Sequence, residues 1–171
     1  DKQAPIDAAI AASDAGFPVK VPAIPPSPAG EQSIGSLAGF STVTFSEGQM
    51  KISVTNKLTI PLHNLVMDLK SGGFVIGTFT YDSIPAGLTK GDSIQLGSKT
   101  MTPDMKLDIT SFGSNGSYGA AVFMSGDNDS LVFDVAMTDV KVRSGSVEID
   151  DTEILNQSVD MDLGLSDEEL T

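Results

Sequence analysis

The stretch from Met50 to Ser83, MKISVTNKLTIPLHNLVMDLKSGGFVIGTFTYDS, constrains the fold more than any other part of the chain. Apolar residues stand at every second position. Ile52 and Val54 lie between Lys51, Ser53 and Thr55; then come Leu65, Met67 and Leu69; then Phe74, Ile76 and the run to Phe79. Successive side chains leave a strand on opposite sides, so a period of two marks a strand with one face buried and one in water. Pro61 interrupts the run. It has no N–H for a sheet ladder, so LTIPLHNL is not one central strand, and a bulge or a bend carrying the chain between sheets accounts for it better. Ser71-Gly72-Gly73 reads as the tight turn before the last strand.

The pattern continues on both sides. FSTVTFS and QMKISVT flank Glu47-Gly48, expected to be a hairpin turn. GDSIQLGSK follows the turn Pro85-Ala86-Gly87, and MKLDITS follows Pro103-Asp104. SYGAAVFM follows Gly113-Ser114-Asn115-Gly116 and reads as a further strand, as does SLVFDVAM after Gly126-Asp127-Asn128-Asp129. TDVKVRSGSVEI holds Val140 and Val142 in phase, breaks at Ser144-Gly145, and resumes with Val147 and Ile149. LNQSVDMDL alternates Val159, Met161 and Leu163 against Asp160 and Asp162. Roughly eight to ten short strands with a turn signal every eight to twelve residues predict an all-β, antiparallel, immunoglobulin-like β-sandwich. Helical periodicity is confined to residues 5–15 and the last few positions. At 40% hydrophobic residues the chain can bury a core, and with 6% aromatic and no Trp that core must rest on Val, Ile, Leu, Met and the eight Phe. The scattered methionines fit core filling.

Residues 1–36 have a different character. PIDAAIAASDAG suggests a short Ala-rich helix ended by Gly16, and five prolines follow between Pro18 and Gly30. Such a segment reads as an interdomain linker, or as an extended arm docked along a sheet edge, its own or a neighbour's, with Val19, Val21 and Ile24 as anchors. The expected organisation is an N-terminal arm or linker over 1–36, the sandwich over 37–164, and an acidic tail over 165–171. A chain that begins at Asp1 and ends in SDEELT is expected to be a fragment or a processed secreted chain.

KISVTNKLTIPLHNLVMDLKSGGFVIGTFTYDSIPAGLTKGDSIQL resembles the core of late-embryogenesis-abundant (LEA14/WHy-type) sandwich domains. The matching features are Asn56 at the end of a strand, Gly73 to Gly77, and the turn Ile84-Pro85-Ala86-Gly87. The usual Asn-Pro pair is Asn56-Lys57 here. The stretch is also similar to repeat modules of bacterial envelope and secreted proteins, where a Pro-rich lead-in precedes the same pattern. The resemblance covers about a third of the chain. It implies a LEA14-like fold and a scaffold or binding role, with no catalytic residues to carry over.

Charge narrows the partners. With 23 acidic against ten basic residues the net charge is −13, which argues against nucleic acid, whose phosphates demand clustered Lys and Arg. It equally disfavours an anionic membrane surface, and no apolar run is long enough for a transmembrane helix. The absence of Cys removes disulfides, thiolate zinc sites and Cys nucleophiles.

Candidate sites are few. His63, the single histidine, has Leu62, Asn64 and Leu65 beside it and no carboxylate at a spacing that would orient it, so a solvent-facing or structural role is expected. No Ser occupies a nucleophile elbow, and paired-carboxylate glycosidase chemistry usually comes with Trp- and Tyr-lined clefts. The chain is therefore not expected to be an enzyme or to carry a cofactor. Calcium is the possible exception, because hard cations need several oxygen ligands from loops. Asp127 with Asp129, Asp150 with Asp151 and Glu153, and Asp160 with Asp162 are the candidate metal ligands, although turns favour Asp for its own backbone bonding. Three of the five asparagines, Asn115, Asn128 and Asn156, precede Ser at the second position and are candidate glycosylation sites on a secreted protein.

Together these features predict a non-catalytic module, secreted or exposed on the cell envelope, with a structural or adhesive role in a larger surface protein. Its partners would be proteins or other copies of itself. Two alternatives remain at this level: a self-assembling filament or surface-layer subunit whose N-terminal arm adds a strand to a neighbour, and a domain binding a small apolar ligand such as a lipid.

Overall fold

The computed structural model describes residues 17–36, 40–123, 130–147 and 156–161. Two antiparallel sheets pack face to face. In the first, β1 (Ile24–Ser27) and β2 (Gly30–Ser36) lie along β8 (Asp104–Ser114), which pairs with β4 (Leu62–Ser71), which pairs with β5 (Phe74–Ile84) at the far edge. In the second, β10 (Asn156–Met161) pairs with β9 (Leu131–Val147), and β9 with β3 (Phe40–Asn56). The other side of β3 is shared by β6 (Thr89–Gln95) and the two-residue β7 (Thr100–Met101).

The core lies where the alternation puts it. Met50, Ile52 and Val54 of β3 and Phe133 and Val135 of β9 form one buried cluster with Leu65, Met67 and Leu69 of β4, Phe79 of β5, and Leu107 and Ile109 of β8. Met101 and Met105 belong to the same cluster, and with Met50, Met67 and Met137 they are the five methionines whose side chains are described, all in the interior. The bend at Pro61 carries the chain between sheets: β3 ends at Asn56 in one, and β4 begins at Leu62 in the other.

Four expectations change. Glu47-Gly48 is not a hairpin turn. β3 runs unbroken through it as a 17-residue strand, and the pairing to β9 shifts register there repeatedly, which makes the site a bulge. Likewise Ser144-Gly145 does not split β9. Gly145 sits opposite Val43 so closely that a Cβ would lie 2.6 Å from the Thr42 carbonyl oxygen, which is why glycine stands in mid-strand. SYGAAVFM does not form a strand; Gly116–Gly119 is a turn, followed by a single bridge between Val122 and Val19. Finally, Phe74 is not buried: it pairs with buried Ser71 at the hairpin tip yet is 78% exposed, whereas Ile76 and Phe79, farther along β5, are buried.

The Pro-rich segment lies along its own chain. β1 and β2 pair with β8, Val19 and Ile34 are buried, and Val21 and Ile24 pack against the core. The expected helix near residues 5–15 lies outside the described residues.

Candidate functional site

Asn56 is the most deeply committed polar residue, fully buried at the point where the chain changes sheets. Its Nδ2 donates to the carbonyls of Ile60 (2.9 Å) and Ile84 (3.0 Å), and its Oδ1 accepts the Leu58 N–H at 3.0 Å. Its backbone accepts from Gly87 and donates to Leu88. One amide thus joins the β3–β4 crossover to the Ile84–Leu88 turn, two features that are about 30 residues apart in sequence.

The other buried polar side chains are likewise tied to backbone. Ser71 Oγ donates to the Thr102 carbonyl and accepts its N–H, Ser114 Oγ donates to Pro61, and Ser117 Oγ donates to Ala120 and accepts from Val21. Tyr81 donates across the core to the Ile52 carbonyl at 3.0 Å, joining the sheets, and burial pushes its hydroxyl pKa upward. Among the described residues no buried side-chain polar atom lacks a partner.

Charged groups gather on the outer face of the first sheet. Register places Glu31, Asp108 and Asp68 side by side across β2, β8 and β4, an arrangement that like charges alone would destabilise. Lys70 answers it, with Nζ 2.6 Å from Glu31 and 2.7 Å from Asp108, and Lys106 stands 3.5 Å from Glu31. The hydrogen bond from Lys70 holds the Glu31 carboxyl below its ordinary 4.5, and the bonds from Lys70 to Asp108 and Glu31 push the ammonium up.

His63 is half-buried, and Asn64 beside it takes a left-handed backbone conformation (φ 52°) where the β4–β8 register shifts. Its Nε2 lies 3.3 Å from the hydroxyl of Tyr118, which also accepts from Asn115 Nδ2 at 3.1 Å. A shallow depression of about 380 Å³ lies at the β3 bulge, lined by Ser46, Glu47, Gln49, Gln95 and Asp139 with Gly48 and Gly97. Its lining mixes polar and apolar surface, and Glu47 within it pairs with Lys141.

Of the sequence-derived candidates, Asn115 lies in the exposed loop after β8. Asn128, Asp127, Asp129, Asp150, Asp151, Glu153 and Asp162 lie outside the described residues. Asn156 and Asp160 belong to β10, opposite Ala136 and Val132. Among the described residues no three His or carboxylate groups converge to hold a metal, and no helix is long and apolar enough to cross a membrane.

One feature escaped the sequence reading, the far edge of the first sheet. Among the described residues β5 pairs on one side only, with β4. Its first residues Phe74 and Val75 are exposed at the hairpin tip, where Gly72 and Gly73 (φ 56° and 83°) make the two-residue turn. Exposed Leu88 stands just past its other end. Composition alone does not distinguish an edge strand from a central one, so pairing order had to be seen.

Fold and surface define a two-sheet antiparallel sandwich whose buried polar groups brace loops and sheets. No family model, no curated protein and no solved structure matches the chain.

Proposed function

We propose that the chain is a non-catalytic structural or adhesive module of a larger protein exposed outside the cell or on its envelope, working through its surface. The observation that supports this reading is the use made of its polar groups. Asn56, Ser71, Ser114, Ser117 and Tyr81 are each spent on backbone partners that fasten loops or sheets. The single histidine is bonded to a surface tyrosine rather than to a carboxylate. Among the described residues, what is left to act is the outside: an ion-paired sheet face, exposed loops, and a strand edge. The net charge of −13 suits a protein that must stay soluble in a crowded exterior.

The test is location. Antibodies against the chain are expected to label intact cells of its source, and protease added to those cells to remove the signal. Signal confined to the cytosolic fraction would overturn the reading.

A further inference from the structure

We infer that this chain self-associates through β5, two copies pairing antiparallel along the edges left unpaired among the described residues so that the first sheet continues across a two-fold axis. This names a partner for the surface module proposed above and rests on that reading.

The edges of the sandwich differ in how they are defended. Edge strands commonly carry Pro, Lys, inward charge or extreme shortness, because an open row of N–H and C=O groups invites pairing. β1 contains Pro25 and Pro26, β2 starts with Gly30-Glu31, β6 contains Lys90, Gly91 and Asp92, β7 has two residues, and β10, the edge of the second sheet, has six with Asp160 among them. β5 carries only a register irregularity near its start, where its pairing to β4 shifts at Leu69/Lys70. Its sequence FVIGTFTYDSI is 11 residues long, without Pro, Lys or Arg, and Asp82 is its one charged residue.

The exposed apolar residues indicate the occupant. Phe74 (78% exposed) and Val75 (53%) open the strand, and Leu88 (55%) stands just beyond its end. An antiparallel pair brings the opening of each copy against the closing turn of the other, so both apolar ends are covered twice by one two-fold operation. A parallel strand from an unrelated chain has no such reason to match both ends. In the register centred on Phe79, Thr78 of one copy meets Thr80 of the other, and Asp82 meets Ile76, so the lone charge does not face its own image. Backbone ladder bonds then supply the attraction. β1 and β2 are already paired with β8 of the same chain, so this route leaves the N-terminal arm in place.

Sedimentation velocity on the full chain tests the proposal. The wild type is expected to show a concentration-dependent dimer, strengthened by salt, because two bodies of net charge −13 repel until screened. Thr80→Lys places a cation on the exposed side of the edge, and Phe74→Ser removes an exposed ring that the core does not need. Each is expected to weaken dimerisation by about tenfold with unchanged circular dichroism, and mixing T80K with T80E to restore it as a mixed dimer. A wild type that stays monomeric at high concentration and high salt, or a T80K protein that dimerises like the wild type, would overturn the proposal. Neither result touches the question of cell-surface location, whose failure would be read from the antibody experiment alone.

Discussion

Replacing Asn56 by Ala removes three hydrogen bonds at a fully buried point. The carbonyls of Ile60 and Ile84 and the N–H of Leu58 all lose their side-chain partner, and the methyl group offers nothing in return. A buried group left unpaired costs about 1–3 kcal/mol, and carbonyls tolerate it better than N–H groups, so a total of about 4 kcal/mol is expected. With an unfolding entropy near 2.1 cal/mol/K per residue over the 171 residues, that corresponds to a fall in Tm of roughly 11 °C. The loss is a large part of the stability of an ordinary domain. Asn56→Asp makes the cause visible. A carboxylate keeps the bond from Leu58 but faces two carbonyl oxygens, so burial and repulsion raise its folded-state pKa above the unfolded value near 4. Its excess destabilisation relative to wild type is then least below that value and grows as pH rises through the interval between the two. Urea denaturation of the wild type and both variants at pH 4 and pH 7 measures this. An N56A protein within 1 kcal/mol of wild type, or an N56D deficit equal at both pH values, would refute the role given to this amide.

Other perturbations follow from the same contacts. Tyr81→Phe is expected to lose about 1 kcal/mol in urea denaturation, since it removes one inter-sheet bond and leaves the ring in place. Glu31 is held below 4.5 by Lys70, so its contribution is full above that pH and is lost as pH falls through the lowered folded value. Lys70→Met is expected to flatten this part of the acid limb of a stability–pH curve and to leave Glu31, Asp108 and Asp68 side by side with Lys106, beside Glu31, as the remaining cation paired there. Gly116→Ala puts a Cβ against the carbonyl oxygens of Val21 and Pro22 at a left-handed φ of 67°; a loss of about 2–3 kcal/mol and faster proteolysis within residues 17–23 are expected. Removing residues 1–36 strips β1 and β2 from β8, together with buried Val19 and Ile34, and is expected to lower Tm and promote aggregation.

The strands themselves were legible because a buried face leaves a period-2 trace, and that trace survives in Ile52–Val54, Leu65–Leu69 and Leu107–Ile109. Pro61 was legible as a break for an equally local reason, its missing N–H. Glu47-Gly48 misled because a bulge shifts the register of a strand without interrupting it, and local composition at a bulge resembles that of a turn. Phe74 misled because it stands at the hairpin tip, where a residue opposite buried Ser71 still meets solvent. Asn56 was noticed only through the family resemblance; nothing in its neighbours announces that its amide reaches Ile84.

Sequence alone determined that this chain folds as antiparallel strands around an aliphatic, methionine-rich core, because alternation, turn residues and composition act over a few neighbours at a time. Tertiary structure decided which strand lies at an edge and which polar group meets which carbonyl. Pairing order and inter-sheet contacts join residues such as Tyr81 and Ile52 or Glu31 and Lys70, whose separation of tens of residues leaves no mark in local pattern. The same distinction applies to β5, which has the composition of an interior strand and which only the pairing order places at the end of the first sheet among the described residues.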